Sequence, residues 1–187
     1  MSLKTNAMRI DRDNAIGVVI DIQEKLLPHM FEKDEVVRNT NILIQGLKQL
    51  GVPVLVTEQY KKGLGETVES IAKQVEEHPH YEKITFSCCD NPKFTEKLET
   101  STKRDVIIAG IEAHVCVLQT AIDLKERGFH PIVVADCVSS RTKTNKDIAL
   151  IRMQQEGVLI TSYESILFEL ARKAGTDEFK AISKLVK

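Results

Sequence analysis

Five short apolar runs, separated by longer segments of helical period, constrain the fold of this 187-residue chain more than any other feature. Each run consists mostly of Val, Ile, Leu and Ala, as in strands that are covered on both faces of a sheet. Strands that alternate with helices predict βα units and a parallel sheet. The predicted strands are Ala15 to Ile20, Pro53 to Thr57, Asp105 to Gly110, Pro131 to Asp136 and Val158 to Thr161, with a sixth candidate at Tyr81 to Thr85.

Glycine residues mark the ends of three predicted helices, because a helix terminus often needs a left-handed residue. These helices are Glu35 to Leu50, His114 to Arg127 and Thr144 to Gln155, which stop at or before Gly51, Gly128 and Gly157. Further helices are predicted at Glu66 to Glu77, Asn91 to Leu98, Tyr163 to Lys173 and, as an amphipathic tail, Asp177 to Val186. No repeat or flexible linker interrupts the pattern, so we expect one α/β domain over residues 1–187.

Charge and hydropathy exclude several classes of partner. The 26 Lys and Arg residues are balanced by 27 Asp and Glu residues, and a formal net charge of -1 offers no general attraction to nucleic acid or to an anionic membrane. No apolar run approaches the roughly 20 residues of a membrane span, and Met1 to Asp11 lacks the apolar core of a secretory signal. We therefore expect a soluble, cytoplasmic protein.

Polar residues that follow the predicted strands are the candidates for chemistry, since ligands bind at the carboxyl ends of parallel strands. Asp21 follows the first strand, Lys83 lies in or after the short third one, and Glu112 and Cys116 follow the strand that ends at Gly110. Each has an ordinary structural interpretation: Asp21 as a turn residue or cap, Lys83 as a solvated lysine, Cys116 as a buried core thiol.

Cys116 is the strongest of these candidates because it falls where a strand and a turn lead into a long helix. Unpaired N–H groups and the positive end of the helix dipole are expected to lower the pKa of a thiol there and to favour the nucleophilic thiolate. The same amides could stabilise an oxyanion.

Other motifs give no cofactor site. His78 and His80 lack further metal ligands, and the Gly63 to Gly65 segment lacks the third glycine of a dinucleotide fingerprint. The four cysteines, Cys88, Cys89, Cys116 and Cys137, do not form a disulfide framework or a Cys-x-x-Cys pair. We therefore predict no metal and no cofactor.

Three segments resemble motifs of the isochorismatase-like cysteine hydrolases, which include nicotinamidases and carbamoylsarcosine amidohydrolases. Val19 to Gln23 resembles the first-strand motif with its catalytic aspartate, Glu82 to Ser87 the lysine motif, and Gly110 to Val117 the nucleophile motif. The resemblance spans nearly the whole chain. Three further segments resemble the isochorismatase domain-containing branch: Thr57 to Gly65, Asp136 to Arg141 and Phe179 to Ile182.

The resemblance implies a three-layer αβα sandwich around a six-stranded, mainly parallel, Rossmann-like sheet, and a homo-oligomer. It also implies a cis peptide bond between Ile111 and Glu112, and an oxyanion hole formed by the backbone N–H groups of Val115 and Cys116. Metal-binding nicotinamidases have an Asp-x-His sequence after the second strand, whereas this chain has Glu58-Gln59-Tyr60. This difference argues against zinc.

Our hypothesis from the sequence is a hydrolase that cleaves a C–N (amide or carbamoyl) bond of a small molecule. Cys116 is the predicted nucleophile, Asp21 accepts its proton, and Lys83 positions the carboxylate and the thiolate relative to each other. Because each follows a strand or lies in a motif, five residues are candidate substrate contacts: Gln23, Phe31, Gln59, Phe86 and Glu112. The alternatives are a thiol redox protein that pairs Cys116 with Cys88 or Cys89, and a binding or scaffold protein without turnover.

Overall fold

A computed structural model describes residues 9–187, so most of the segment Met1 to Asp11, in which we expect no secretory signal, lies outside the described residues. Six strands form one parallel sheet in the order β3-β2-β1-β4-β5-β6. The strands are β1 Ala15–Ile20, β2 Val54–Gln59, β3 His80–Lys83, β4 Asp105–Ile111, β5 His130–Ser139 and β6 Leu159–Thr161. The predicted α/β class and the six-stranded sheet are confirmed.

Eight α-helices connect and cover the strands in the described part of the chain. They are α1 Lys33–Gln49, α2 Lys61–Leu64, α3 Glu69–Val75, α4 Pro92–Thr100, α5 Leu118–Glu126, α6 Lys143–Gln155, α7 Tyr163–Ala171 and α8 Asp177–Leu185. The short helix α2 was not expected, since the glycines around it predict a turn. A further difference is that α5 begins four residues later than predicted, because a π-helical turn, Ala113–Val117, precedes it.

The helices form one layer on each face of the sheet. Helices α1, α3, α7 and α8 pack on one face around Leu43, Ile44 and Leu47, whereas α4, α5 and α6 cover the other. The strands β1, β2 and β4 are buried along their whole length, which explains their almost uninterrupted apolar sequence. Helix α8 packs against α1 and α7 of its own chain, so the amphipathic tail completes this layer.

The order of the strands reverses at β1 and β4, which are neighbours although two βα units separate them in sequence. In open parallel sheets the crevice at this reversal is the usual ligand site. Gly110 lies at this point with a φ angle of +136°, and a Cβ atom there would lie 2.2 Å from the Ile20 carbonyl oxygen. The close approach of β4 to β1 therefore requires glycine.

None of the helices within residues 9–187 is both long enough and apolar enough to span a membrane.

We expect Gly110→Ala to destabilise the protein much more than Gly128→Ala. Gly128 also has a positive φ angle, +80°, but no atom lies within 4 Å of the position of an added Cβ. In urea unfolding, the free energy of unfolding should fall by about 1 kcal/mol for Gly128→Ala and by about 3 kcal/mol for Gly110→Ala, where backbone atoms must move. Equal losses would contradict the assigned close approach.

Candidate active site

Parallel register brings the polar residues that follow the central strands to one edge of the sheet. Ile20 of β1 pairs with Thr57 of β2 on one side and with Gly110 of β4 on the other. Gln59, two residues after Thr57, pairs with Lys83 at the end of β3. Side chains two residues apart on a strand point to the same face, so Thr57 and Gln59 point the same way.

Asp21 and Lys83 form a buried ion pair at this edge, with 2.7 Å between Lys83 Nζ and Asp21 Oδ2. Thr57 Oγ1 donates to the second carboxylate oxygen, Oδ1, at 2.7 Å. Gln59 Oε1 accepts from Lys83 Nζ at 2.7 Å, and the Gln59 Nε2 group donates to the Ile84 carbonyl at 2.6 Å. Strand β2 thus supplies one hydrogen-bond partner to each member of the pair: Thr57 to Asp21 and Gln59 to Lys83.

The loop after β3 supplies the remaining acceptors of the lysine. Lys83 Nζ donates to the carbonyl oxygens of Phe86 at 3.0 Å and Thr85 at 3.3 Å. Burial lowers the pKa of Lys83, but the Asp21 carboxylate, together with Cys88 and Cys116, outweighs burial and raises this pKa above its ordinary value. The lysine is therefore an ammonium that fixes both the aspartate and the path of the loop.

Cys116 lies next to this ion pair in the π-helical turn, with 5% of its surface exposed. Burial raises the pKa of the thiol, and the Asp21 carboxylate raises it further, whereas the Lys83 ammonium lowers it by less. The prediction that a helix terminus lowers this pKa is therefore wrong. Desolvation and a neighbouring carboxylate both favour the neutral thiol, and together they outweigh the ammonium and the helix dipole.

The turn that carries Cys116 has an unusual pattern of backbone hydrogen bonds. The N–H groups of Val115 and Val117 both donate to the Glu112 carbonyl oxygen, at 3.1 and 3.3 Å. The N–H of Val115, one of the two predicted oxyanion donors, is thus bonded within the turn. The peptide bond between Ile111 and Glu112 is cis, the bond that the resemblance singled out.

A cavity of about 180 Å³ opens above Cys116. Its apolar walls are formed by Leu26, Leu64, Phe86 and Val115. Its polar lining consists of Gln59, Glu112, Cys116 and Arg141, so three of the five predicted substrate contacts, Gln59, Phe86 and Glu112, border this space.

Arg141 also lines the cavity, although it is not among the site residues predicted from the sequence. Its Nε atom donates to both Glu112 carboxylate oxygens, at 3.2 and 3.3 Å. The residue follows the end of β5, so the strand-end rule that selected Asp21 would also have pointed to it.

The structure places the other two predicted substrate contacts outside the cavity lining. Gln23 is fully buried, and its side-chain amide bonds to the backbone of Gln59 and to the Gly65 carbonyl, with distances of 2.7 to 3.0 Å. Phe31 is bound through its backbone to Ser139 and Ser140. These contacts fix the loops around the site, and the substrate-binding role of both residues stays a prediction.

The remaining cysteines are all buried, free thiols in the described part of the chain. Burial raises the pKa of Cys88 to about 11 and that of Cys89 to about 12, and it raises the pKa of Cys137 as well. These values oppose the reactive thiolate that a redox pair would need. Within residues 9–187, His, Cys, Asp and Glu side chains form no group of three that could hold a metal ion.

A larger groove of about 530 Å³ lies between α1 and α8, away from the ion pair. Its lining is mostly Gln and Lys from these helices, and it contains no nucleophile. The smaller cavity is therefore the candidate active site.

Comparison with known proteins shows close relatives over most of the chain. A secreted isochorismatase effector, Isc1, of Phytophthora sojae is 42% identical over 184 residues, which cover 96% of this chain and 87% of the relative. Its name describes a secreted protein, so the cytoplasmic location of this chain stays a prediction. Isochorismatase domain-containing protein 2 of Danio rerio is 38% identical over 183 residues, which cover 95% of this chain and 89% of the relative.

Solved structures show the same fold. The structure of the MAR1 ribonuclease from Caenorhabditis elegans has a TM-score of 0.91 and 38% sequence identity, over 96% of this chain and 92% of that one. The model of the isochorismatase domain matches residues 15–165, which include Asp21, Lys83 and Cys116. The chain therefore belongs to the isochorismatase family, as its three motifs indicated.

Proposed function

We propose that this protein is a cysteine hydrolase that cleaves the C–N bond of a small amide or carbamoyl compound. The observation that carries the proposal is the buried ion pair between Lys83 and Asp21 beside the Cys116 thiol, which lines a cavity open to a small molecule. A nucleophile, a proton acceptor and a fixed cation are the components of covalent acyl transfer. Membership of a family named for a hydrolase supports the same reaction class.

The first half of the reaction forms a thioester. Asp21 accepts the proton of the Cys116 thiol as Sγ attacks the carbonyl carbon, and the carbonyl oxygen takes the negative charge. The N–H of Cys116 is the proposed donor to this oxygen. The C–N bond then breaks, the protonated Asp21 gives its proton to the leaving nitrogen, and ammonia or an amine departs.

The second half returns the enzyme to its starting state. Asp21, again a carboxylate, accepts a proton from water as the water oxygen attacks the thioester carbonyl. The C–S bond breaks, the carboxylic acid leaves, and the thiolate regains its proton from Asp21. The Lys83 ammonium holds the side chain of Asp21 in position through a hydrogen bond of 2.7 Å in each resting state.

The neutral thiol at rest agrees with this sequence of steps. Because the pKa of Cys116 is raised, the thiolate forms only as the proton passes to Asp21 during attack. The adjacent carboxylate is fixed by Thr57 and Lys83, so the acceptor needs little reorganisation. We propose residues 1–187 as one functional domain.

Ribonuclease activity is a second candidate, because the C. elegans relative is named a ribonuclease. Two observations favour a small molecule instead. The cavity of about 180 Å³ is below the ~300 Å³ at which pockets for larger ligands begin. The net charge of -1 supplies no general attraction to a phosphate backbone. RNA is therefore included in the test as a competing substrate.

Cys116→Ala should abolish hydrolysis, whereas Cys137→Ala should keep it, because Cys137 lies in the buried strand β5, outside the cavity lining. We expect kcat to fall at least about a thousandfold for the first variant. The assay measures ammonia released from a panel of short amides and carbamoyl compounds, with structured RNA as an alternative substrate. Activity of Cys116→Ala on any of them, or hydrolysis of RNA alone, would overturn the proposal.

Asp21→Asn should increase the reactivity of Cys116 towards an alkylating reagent and at the same time abolish turnover. The Asp21 carboxylate raises the pKa of this thiol, so replacing the carboxylate with an amide lowers the pKa. At any pH below the pKa of the thiol, the thiolate fraction then increases. Iodoacetamide labelling against pH, read by peptide mass spectrometry, measures the first effect, and ammonia release the second. Slower labelling of Asp21→Asn would contradict the assigned role of the carboxylate.

We propose a homo-oligomer, because the apolar side chains of Ile148 and Ile151 are more than half exposed on α6. Burying them against a second copy would remove apolar surface from water. Light scattering after size exclusion should give a mass above 21.0 kDa, and Ile148→Lys with Ile151→Lys should reduce it to that of one chain. A monomeric wild type would disprove the assembly.

A further inference from the structure

The charged groups that reach the cavity and its base are matched in pairs. Glu112 binds Arg141 in the lining, at the mouth, and Asp21 binds Lys83 behind the lining, next to Cys116. The members of the first pair differ in their surroundings, since the Glu112 side chain is 11% exposed and that of Arg141 is 60% exposed. The carboxylate therefore faces the protein interior, whereas the guanidinium borders the solvent.

The remaining lining adds no further charge. Leu26, Leu64, Phe86 and Val115 are apolar, and Gln59 offers a neutral amide that is already bonded to Lys83 and to the Ile84 carbonyl. The volume of about 180 Å³ corresponds to the space of about six water molecules. Such a cavity accepts an amide with a short hydrocarbon body and offers no counter-ion to a charged one.

We propose that Glu112 and Arg141 select the substrate by charge, so that the cavity takes small, uncharged aliphatic amides and rejects their carboxylate and ammonium analogues. This inference rests on the proposed hydrolase function for the fate of the bound amide, but the charge selection itself concerns binding.

The physical basis is the cost of an unmatched charge in a confined space. An anionic substrate meets the Glu112 carboxylate, which faces inwards. A cationic substrate can pair with Glu112 only by displacing Arg141, so one ion pair is exchanged for another without a gain. In both cases the charge of the substrate loses hydration next to apolar walls and finds no free counter-ion, which is unfavourable.

Removing one charge of the Glu112–Arg141 pair should change which ligand charge the cavity prefers, in a direction set by the charge that remains. Glu112→Gln keeps the shape of the side chain and leaves the Arg141 guanidinium available to an anion. Arg141→Gln leaves the Glu112 carboxylate available to a cation. A residue that serves only to stabilise the fold would not produce opposite preferences in the two variants.

The first experiment measures binding preference without turnover. Cys116 is alkylated with neutral iodoacetamide, anionic iodoacetate and cationic bromoethylamine, and each rate is divided by that of free glutathione with the same reagent. Relative to the iodoacetamide rate, we expect the rate of labelling by iodoacetate to rise about fivefold in Glu112→Gln. The rate for bromoethylamine should rise about fivefold in Arg141→Gln, because a partly exposed ion pair contributes a free energy of this size. The iodoacetamide rate of each variant corrects for any change in the turn that carries Cys116.

Matched controls come from a second Glu–Arg pair, Glu178 and Arg12, which lie 3.5 Å apart at the opposite end of the sheet. Glu178→Gln and Arg12→Gln make the same changes in net charge but should leave all three relative rates unchanged. Equal shifts in control and test variants, or the absence of a shift in the test variants, would overturn the charge selection.

The second experiment separates this inference from the proposed function. Propionamide, malonamate and 3-aminopropanamide are offered as neutral, anionic and cationic amides of similar size. Preferential hydrolysis of propionamide by the wild type, with opposite shifts in the two variants, supports both proposals. Charge-selective labelling without hydrolysis of any amide would refute the hydrolase alone, whereas hydrolysis without charge preference would refute the selection alone.

Discussion

The geometry of the site depends on one interaction, the buried ion pair between Lys83 and Asp21. Two charges removed from water are unfavourable unless their hydrogen-bonding capacity is satisfied, and here Thr57, Gln59 and two backbone carbonyls satisfy it. The lysine can reach these carbonyls only if the loop after β3 passes across the edge of the sheet. The same path places Phe86 on the cavity wall, so the pair determines the shape of the cavity as well as its chemistry.

The pair also contributes, with burial, to the protonation state of the proposed nucleophile, Cys116. An unpaired ammonium would lower the pKa of a neighbouring thiol. Here the ammonium is paired with Asp21, so burial and the carboxylate dominate and raise the pKa of Cys116. The resting site therefore holds a neutral thiol. Thiolate character governs the oxidation of cysteine, so a neutral Cys116 thiol is expected to react slowly with peroxide.

Much of this arrangement could be predicted from sequence, and the failures have physical causes. Uninterrupted apolar runs located the strands, and the residues that follow them included Asp21 and Cys116. The direction of the thiol pKa could not be predicted, since it depends on three-dimensional burial and on a carboxylate 95 residues away in sequence. The strand-end rule could have located Arg141, but its pairing with Glu112 and the role of Thr57 depend on a contact between two loops and on strand register, which local sequence patterns do not encode.

Glu112 connects two parts of the molecule that are usually considered separately. Its carbonyl oxygen accepts from the amides on both sides of Cys116, and its carboxylate holds Arg141 at the mouth of the cavity. A substitution that moves the backbone of Glu112 would therefore alter the hydrogen bonds around the Cys116 sulfur and the position of Arg141 together.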